Sequence, residues 1–353
     1  MDRSNAFFWN GMDISFLDEI ELSGGAFYED GLQRDLLYMM ANNGVNTIRL
    51  RIWNDPPGGF CNLERTLAMA KRIKALGLHF LLDFHYSDVW ADPAHQTKPK
   101  AWESLSFNGL IHVVYDYTRM VLTELQAQGT LPDMVQIGNE ITPGMLWDDG
   151  RVGGEEYNSE EQWAQFAALV KSGIEAAKAV DADINVMIHI DRGGDNETCR
   201  MFYDRFARLG VEFDTIGLSF YPWWHGTLDD LRSNLHDLAL RYDKDIVVVE
   251  TAYPWTIEPA EGRSFIVTSE EQLHEGYPAT VQGQTDYMRD FIRIVQETPN
   301  GRGVGFHYWE PCWIPSKDEW SVGHANNWSN LTLFDFEGRK LKTLEVLKEV
   351  VRL

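Results

Sequence analysis

The sequence predicts a single (β/α)8 barrel of the α/β class, one catalytic domain over residues 1–353, on three observations. Apolar, β-branched runs alternate with helix-like periodicity eight times. No Gly/Ser-rich linker and no shift in composition divides the series. Run after run also ends in polar or charged residues at its C-terminal end, the face on which barrels of this kind assemble their sites. The undivided series favours one barrel over two doubly wound domains, and the polar strand ends add to that.

Taken in order, residues 7–12 form a first apolar strand leading to Asp13, and 32–41 follow with helical spacing before Gly44. The second strand, 47–53, carries Arg49 and Arg51 in an otherwise apolar pattern. A central strand tolerates this only where the guanidinium groups meet carboxylates or a cleft. A helix over 63–75 stops at Gly77, and the third strand, 79–84, ends in His85-Tyr86-Ser87. A long helix over 107–126 precedes the fourth strand, Met134-Val135-Gln136-Ile137, which runs into Gly138-Asn139-Glu140. Residues 160–179 read as a helix with good propensity, and 184–190 as a fifth strand with His189 and Asp191 at its end. A helix over 198–209 leads to the sixth strand, 215–220, and then to Tyr221-Pro222-Trp223-Trp224-His225. After a helix over 228–241, the seventh strand, 245–250, ends in Glu250, because Pro254 forbids a simple continuation. A helix over 282–297, an eighth strand over 303–308 reaching Trp309-Glu310-Pro311, and a closing helix over 341–353 complete the series.

Composition narrows the function. A formal charge of -23 argues against nucleic-acid binding, which depends on Lys and Arg neutralising phosphates, and it disfavours a polyanionic substrate. The three cysteines, Cys61, Cys199 and Cys312, are too few and too dispersed for a disulfide framework or a zinc motif. No apolar stretch is long enough for a membrane span. The expectation is a soluble protein, cytoplasmic, or extracellular if a signal peptide has been removed. Thirteen Trp, thirteen Tyr and eighteen Phe are enough to line a cleft with flat apolar rings.

Two strands end in glutamate. A buried parallel strand wants apolar residues on both faces, so Asn139-Glu140 and Glu250 must point into a polar cleft or be costly burials. Closing the barrel brings strands four and seven to opposite sides of one mouth. Glycoside hydrolysis needs such a pair of carboxyl groups, one to protonate the leaving oxygen and one to attack the anomeric carbon or activate water.

Four blocks carry a family resemblance: Arg49-Leu50-Arg51-Ile52-Trp53-Asn54-Asp55-Pro56, Leu82-Asp83-Phe84-His85-Tyr86-Ser87-Asp88, Gln136-Ile137-Gly138-Asn139-Glu140 and Glu250-Thr251-Ala252-Tyr253-Pro254-Trp255. With Asn10-Gly11-Met12-Asp13 at the start, the chain resembles the arabinogalactan endo-β-1,4-galactanases of glycoside hydrolase family 53, within the clan of retaining barrel glycosidases. The resemblance implies internal hydrolysis of β-1,4-galactan, the neutral side chain of pectin, with galactan and galacto-oligosaccharides as partners. It implies Glu140 as acid/base and Glu250 as nucleophile, their carboxyl groups roughly 5 to 5.5 Å apart. Arg49 is expected to keep Glu250 ionised, Asn139 to meet the sugar 2-hydroxyl, and Tyr221 to hold the nucleophile by its phenol. Trp309 is the expected floor of the central sugar site. Asp13, His85, Trp90, Trp223 and Trp255 complete the expected substrate-binding set, with Trp224 and Trp313 as further candidates along the cleft.

No cofactor is required by this chemistry and no metal site is expected. His85, His189 and His225 lack close ligand spacing. Some family members hold calcium in a long loop after strand eight, whereas residues 315–330 form a short loop offering only Asp318, Glu319, Asn326 and Asn327. Three rivals share part of the pattern: a related barrel glycosidase acting on β-glucan or mannan, a non-catalytic carbohydrate-binding barrel, and a metal-dependent hydrolase.

Overall fold

In a computed structural model that describes residues 7–260, 262–315 and 326–350, the eight apolar runs are parallel strands hydrogen-bonded into a closed barrel. They are β1 (Trp9–Asp13), β2 (Thr47–Ile52), β3 (His79–Phe84), β4 (Met134–Ile137), β5 (Asn185–Ile190), β6 (Thr215–Phe220), β7 (Asp245–Thr251) and β8 (Gly303–Trp309). β1 closes the ring by pairing with β8 on one side and β2 on the other. Parallel neighbours cannot be joined by tight turns, so each return is a crossover. The crossover helices are α1 (Leu36–Asn42), α2 (Leu63–Ala75), α3 (Phe107–Ala127), α4 (Glu160–Val180), α5 (Asn196–Arg208), α6 (Leu228–Tyr242) and α7 (Val281–Gln296), with a 3-10 helix, Lys342–Glu349, in the eighth place. Each of these seven crossover α-helices starts where a short polar side chain accepts a first-turn N–H: Asp35, Asn62, Ser106, Ser159, Asp195, Thr227 and Thr280.

Two expected elements differ. The helix expected over 32–41 starts only at Leu36, because Leu32–Arg34 pairs antiparallel with Phe27–Glu29. Asp30 and Gly31 at that turn both have positive φ (52° and 76°), the backbone a two-residue hairpin needs, and Asp35 then caps the helix through Tyr38 N–H. The last helix, expected over 341–353, is 3-10 over Lys342–Glu349, and residues 351–353 lie outside the described range. Among the described residues, no helix is long and apolar enough to cross a membrane.

The barrel interior is apolar at one end and polar at the other. Leu81, Met134, Met187, Val247, Val249 and Val304 form a separate inner cluster. Further along the same strands the inward residues become Arg49, Arg51, Asp83, Gln136, His189 and Ser219, all buried. Space there is tight: a Cβ on Gly11 would lie 2.2 Å from the His307 ring, so only glycine fits. The outward residues, such as Ile48, Leu50, Ile137, Ile188 and Val248, join the larger core beneath the helices. The apolar plug forces any charge in the interior toward the C-terminal mouth.

Candidate active site

The two glutamates reach the mouth by local departures from regular strand geometry. β4 stops at Ile137, and the chain leaves it with Gly138 at φ 82° and Glu140 at φ 48°. A non-glycine residue in the left-handed region costs about 1–2 kcal/mol and persists only where its surroundings hold it. Here they do. Asn139 Oδ1 accepts from Arg49 Nη2 (2.9 Å) and Gln136 Nε2 (3.0 Å), its Nδ2 donates to Ala91 O (2.8 Å), and Glu140 N–H donates to His189 Nδ1 (3.4 Å).

Glu250 needs a different device. In β7, Val247 and Val249 face the inner cluster and Val248 the outer core, so strict alternation would send Glu250 outward with Val248. The pairing with β6 slips by one residue instead: Leu218 faces Val248, but Ser219 faces Glu250, leaving Val249 without a partner. Such a bulge re-aims the side chains that follow it.

Arg49 sits behind both strand ends, with its side chain 1% exposed. Its Nη1 donates to Asp13 Oδ2 (2.8 Å) and Glu250 Oε1 (2.9 Å), and its Nη2 to Asp83 Oδ2 (2.8 Å), Gln136 Oε1 (3.1 Å) and Asn139 Oδ1. Burial opposes this charge, but Asp83, Glu250 and Asp13 outweigh it and hold the guanidinium charged. Tyr221 OH donates to the second oxygen of Glu250, Oε2, at 3.0 Å. Both Glu250 oxygens are thus fixed by donors.

Burial pushes the Glu250 carboxyl up to about 7, against the pull of Arg49, and Asp13 and Asp83 add to the rise. Arg49 acts in the expected direction, favouring the ionised Glu250, but it does not offset the burial of that carboxyl. Glu140 is raised well above the usual range, first by burial, then by the charges of Glu250 and Asp191. Of the pair, Glu250, which has the arginine and the phenol, is the one that ionises first. One oxygen of each glutamate and a ring nitrogen of His189 lie within 4.8 Å of one another.

That trio is the one group of at least three His, Cys, Asp or Glu residues compact enough for a metal among the described residues. Its donor atoms are already engaged: His189 faces Gln136 and Ser219, Glu140 accepts from Ser219, and both Glu250 oxygens have partners. His85, His189 and His225 do not converge. His225 Nδ1 accepts from Tyr221 N–H (3.0 Å), and His85 Nδ1 accepts from Trp53 Nε1 (3.0 Å) and Ala91 N–H (3.1 Å), so its Nε2 carries the hydrogen toward Asp83 Oδ2 (3.0 Å). Of the side chains considered for calcium, Asp318 and Glu319 lie outside the described residues. The Asn326 amide is taken up by Trp313 O and Trp328 N–H.

The cleft above the glutamates is walled by Trp90, Trp309, Trp313 and Trp328, with Trp224, 56% exposed, at its rim. Trp309 packs edge-on to Trp328 at 4.7 Å and faces Trp90 at 5.9 Å. Arg51 braces Trp90 from beneath, its guanidinium 4.4 Å from that ring and 4.2 Å from Phe16, while Nη1 pairs with Glu310 at 2.7 Å. Asp13, Arg49, His85, Asn139 and Tyr221 also line the cleft. Asp13 and Arg49 do so with their polar atoms largely spent on neighbouring protein groups, and His85 with its nitrogens spent on Trp53, Ala91 and Asp83. Trp223 and Trp255 are not among the lining residues: Trp223 packs on Tyr221 and Trp328, and Trp255 on Phe336. Sequence reasoning missed Ser219, Asp92 and Trp328, and considered Asn327 only as a calcium ligand, not as part of the cleft. Ser219 was accessible to it, since it shares an interior face with Gly217 in a strand of known direction. Asn327 and Trp328 come from the loop after β8, whose path no periodicity reveals.

Comparison with known proteins gives the same assignment. The family model described as glycosyl hydrolase family 53 matches residues 9–347. A protein of Niallia circulans, described only by its position in the bgaB 5′ region, is 65% identical over 96% of this chain and 93% of its own length. The arabinogalactan endo-beta-1,4-galactanase of Thermothelomyces thermophilus is 36% identical over 98% of this chain and 100% of its own. The solved GH53 catalytic domain of Ignisphaera aggregans superposes with a TM-score of 0.91 at 44% identity, covering 97% of this chain and 96% of that one. Because the match spans all eight strands and both glutamate-bearing strand ends, the chain belongs to glycosyl hydrolase family 53 and is a glycoside hydrolase.

Proposed function

We propose that this glycoside hydrolase cuts β-1,4-galactan internally by double displacement with retention, with Glu140 as acid/base and Glu250 as nucleophile. The observation that carries the mechanism is the approach of the two carboxylates to within 4.8 Å across one mouth. This suits a covalent intermediate and leaves no room for the water an inverting enzyme must admit between its wider-spaced pair. Glu140, holding its proton, donates it to the leaving oxygen as Glu250 attacks the anomeric carbon; Glu140 then takes a proton from the water that releases the sugar. Asn139 Nδ2 gives one hydrogen to Ala91 O and has a second for the sugar 2-hydroxyl. Trp309 offers an apolar face to the sugar ring. No step needs a metal.

The substrate reading is supported by the galactanase relatives, by the acidic chain, which suits a neutral polysaccharide, and by the aromatic cleft. The pectic side chains of type I arabinogalactan are the natural source of such a polymer. Incubation with linear β-1,4-galactan should release galacto-oligosaccharides whose first-formed anomer, read by NMR, is β. Comparable release from β-glucan or mannan would overturn the substrate, and a first-formed α anomer would overturn the mechanism.

A further inference from the structure

Glu140 is held by few polar groups. Among the described residues, the hydrogen bond to its carboxylate comes from Ser219, whose hydroxyl donates to Oε1 over 2.6 Å. Ser219 is wholly buried on β6, so a sugar in the cleft cannot touch it. Its own lone pair is occupied in turn, since His189 Nε2 lies 2.8 Å from Oγ.

The tautomer of His189 follows from its other nitrogen. Nδ1 faces two donors, Gln136 Nε2 at 2.9 Å and the Glu140 backbone N–H at 3.4 Å, and one acceptor, Asn139 Oδ1 at 3.1 Å, which already accepts from Arg49 and Gln136. Nδ1 therefore accepts, and Nε2 carries the hydrogen. Burial, aided by Arg49, holds the ring neutral, well below 6.5. With His189 N–H aimed at its oxygen, the Ser219 hydroxyl turns its single hydrogen to Glu140.

We propose that Ser219, oriented by His189, is the positioning residue of the acid/base: it pins Glu140 Oε1, so that Oε2 is the oxygen that delivers the proton to the glycosidic bond. This rests on the reading of Glu140 as acid/base. The groups that face Glu140 are Glu250 from β7, Asp191 after β5, Asp92 after β3, Tyr221 after β6 and neutral His189. Glu250, Asp191 and Asp92 oppose a negative Glu140, whereas the serine hydroxyl favours it. Ser219 thus fixes the direction of the proton and limits how long the acid retains it.

The test is Ser219→Ala, assayed on β-1,4-galactan and on an aryl galactoside whose leaving group departs without protonation. Loss of a hydrogen bond to a charged group predicts a fall of about 10- to 100-fold in kcat/KM on the polysaccharide. The aryl substrate should be cleaved at close to the native rate in the first step. The alkaline limb of the pH profile should move to higher pH, because a donor to the ionised form has been removed. Ser219→Cys, of similar volume but a weak donor, should move the limb the same way by less, so the proposal stays testable if the alanine variant does not fold. An unmoved alkaline limb, or equal losses on both substrates, would overturn it. A wild-type chain inactive on both substrates would instead overturn the reading of Glu140 itself.

Discussion

Replacing Tyr221 by Phe should move the acid limb of the kcat/KM profile upward by about one to two pH units. The phenol donates to Glu250 Oε2 at 3.0 Å inside a site where Glu250 is 5% exposed. A hydrogen bond to a charged group contributes about 1.5–3 kcal/mol. At about 1.36 kcal/mol per pKa unit, that corresponds to a rise of about one to two units. The sign follows from which form the donor favours: Tyr221 stabilises the carboxylate, so without it Glu250 holds its proton to higher pH. Burial already pushes Glu250 up to about 7, and Arg49 remains to oppose it. Because Glu250 must be ionised to act as the proposed nucleophile, the variant should lose about 10- to 100-fold in kcat/KM below the limb, with the loss shrinking as pH rises. The assay is kcat/KM for an activated aryl galactoside across the pH range, wild type beside variant, with thermal melts to show that both are folded. A limb that stays in place while rate falls equally at every pH would refute the argument, leaving the phenol a purely geometric support.

The two glutamates should be separable by rescue. Glu250→Ala with azide should yield a glycosyl azide of inverted configuration, because the anion enters from the face the carboxylate vacated; Glu140→Ala should retain activity on an aryl galactoside and give the retained azide. NMR of the azide products checks this, and exchanged anomers would reverse the roles. Arg49→Met should destabilise the fold by about 3–5 kcal/mol in urea titration, since it leaves Asp13, Asp83 and Glu250 facing one another without their shared cation. A loss below about 1 kcal/mol would show that these carboxyls pair elsewhere or stay protonated.

Most of the architecture was legible in the residues. Runs such as 245–250 and 303–308 are apolar on both faces, as only strands covered by helices can be, and Asn62, Ser106 and Thr227 mark helix starts because their oxygens can serve an unsatisfied N–H. Arg49 and Arg51 in a buried strand announced carboxylates nearby, and both have them. The hairpin at Asp30-Gly31 was also signalled, by a turn dipeptide that the helical spacing of the following residues obscured.

The sequence by itself determined the alternation of strands and helices, the placement of Glu140 and Glu250 at two strand ends, and the chemistry such a pair can perform. Only the tertiary structure decided how those glutamates face each other. Strand alternation alone turns Glu250 away from the mouth, and a register slip against β6, a property of pairing between two segments distant in sequence, turns it in. The burial that lifts the Glu250 carboxyl, and the sharing of Arg49 among Asp13, Asp83 and Glu250 that opposes it, depend on distances across the barrel that no local pattern encodes. The same holds for Ser219 and His189 behind Glu140, and for Trp328 reaching the cleft wall while Trp255 turns aside. Local propensity acts over a few residues, whereas a site is built from the ends of strands that meet only when the barrel closes.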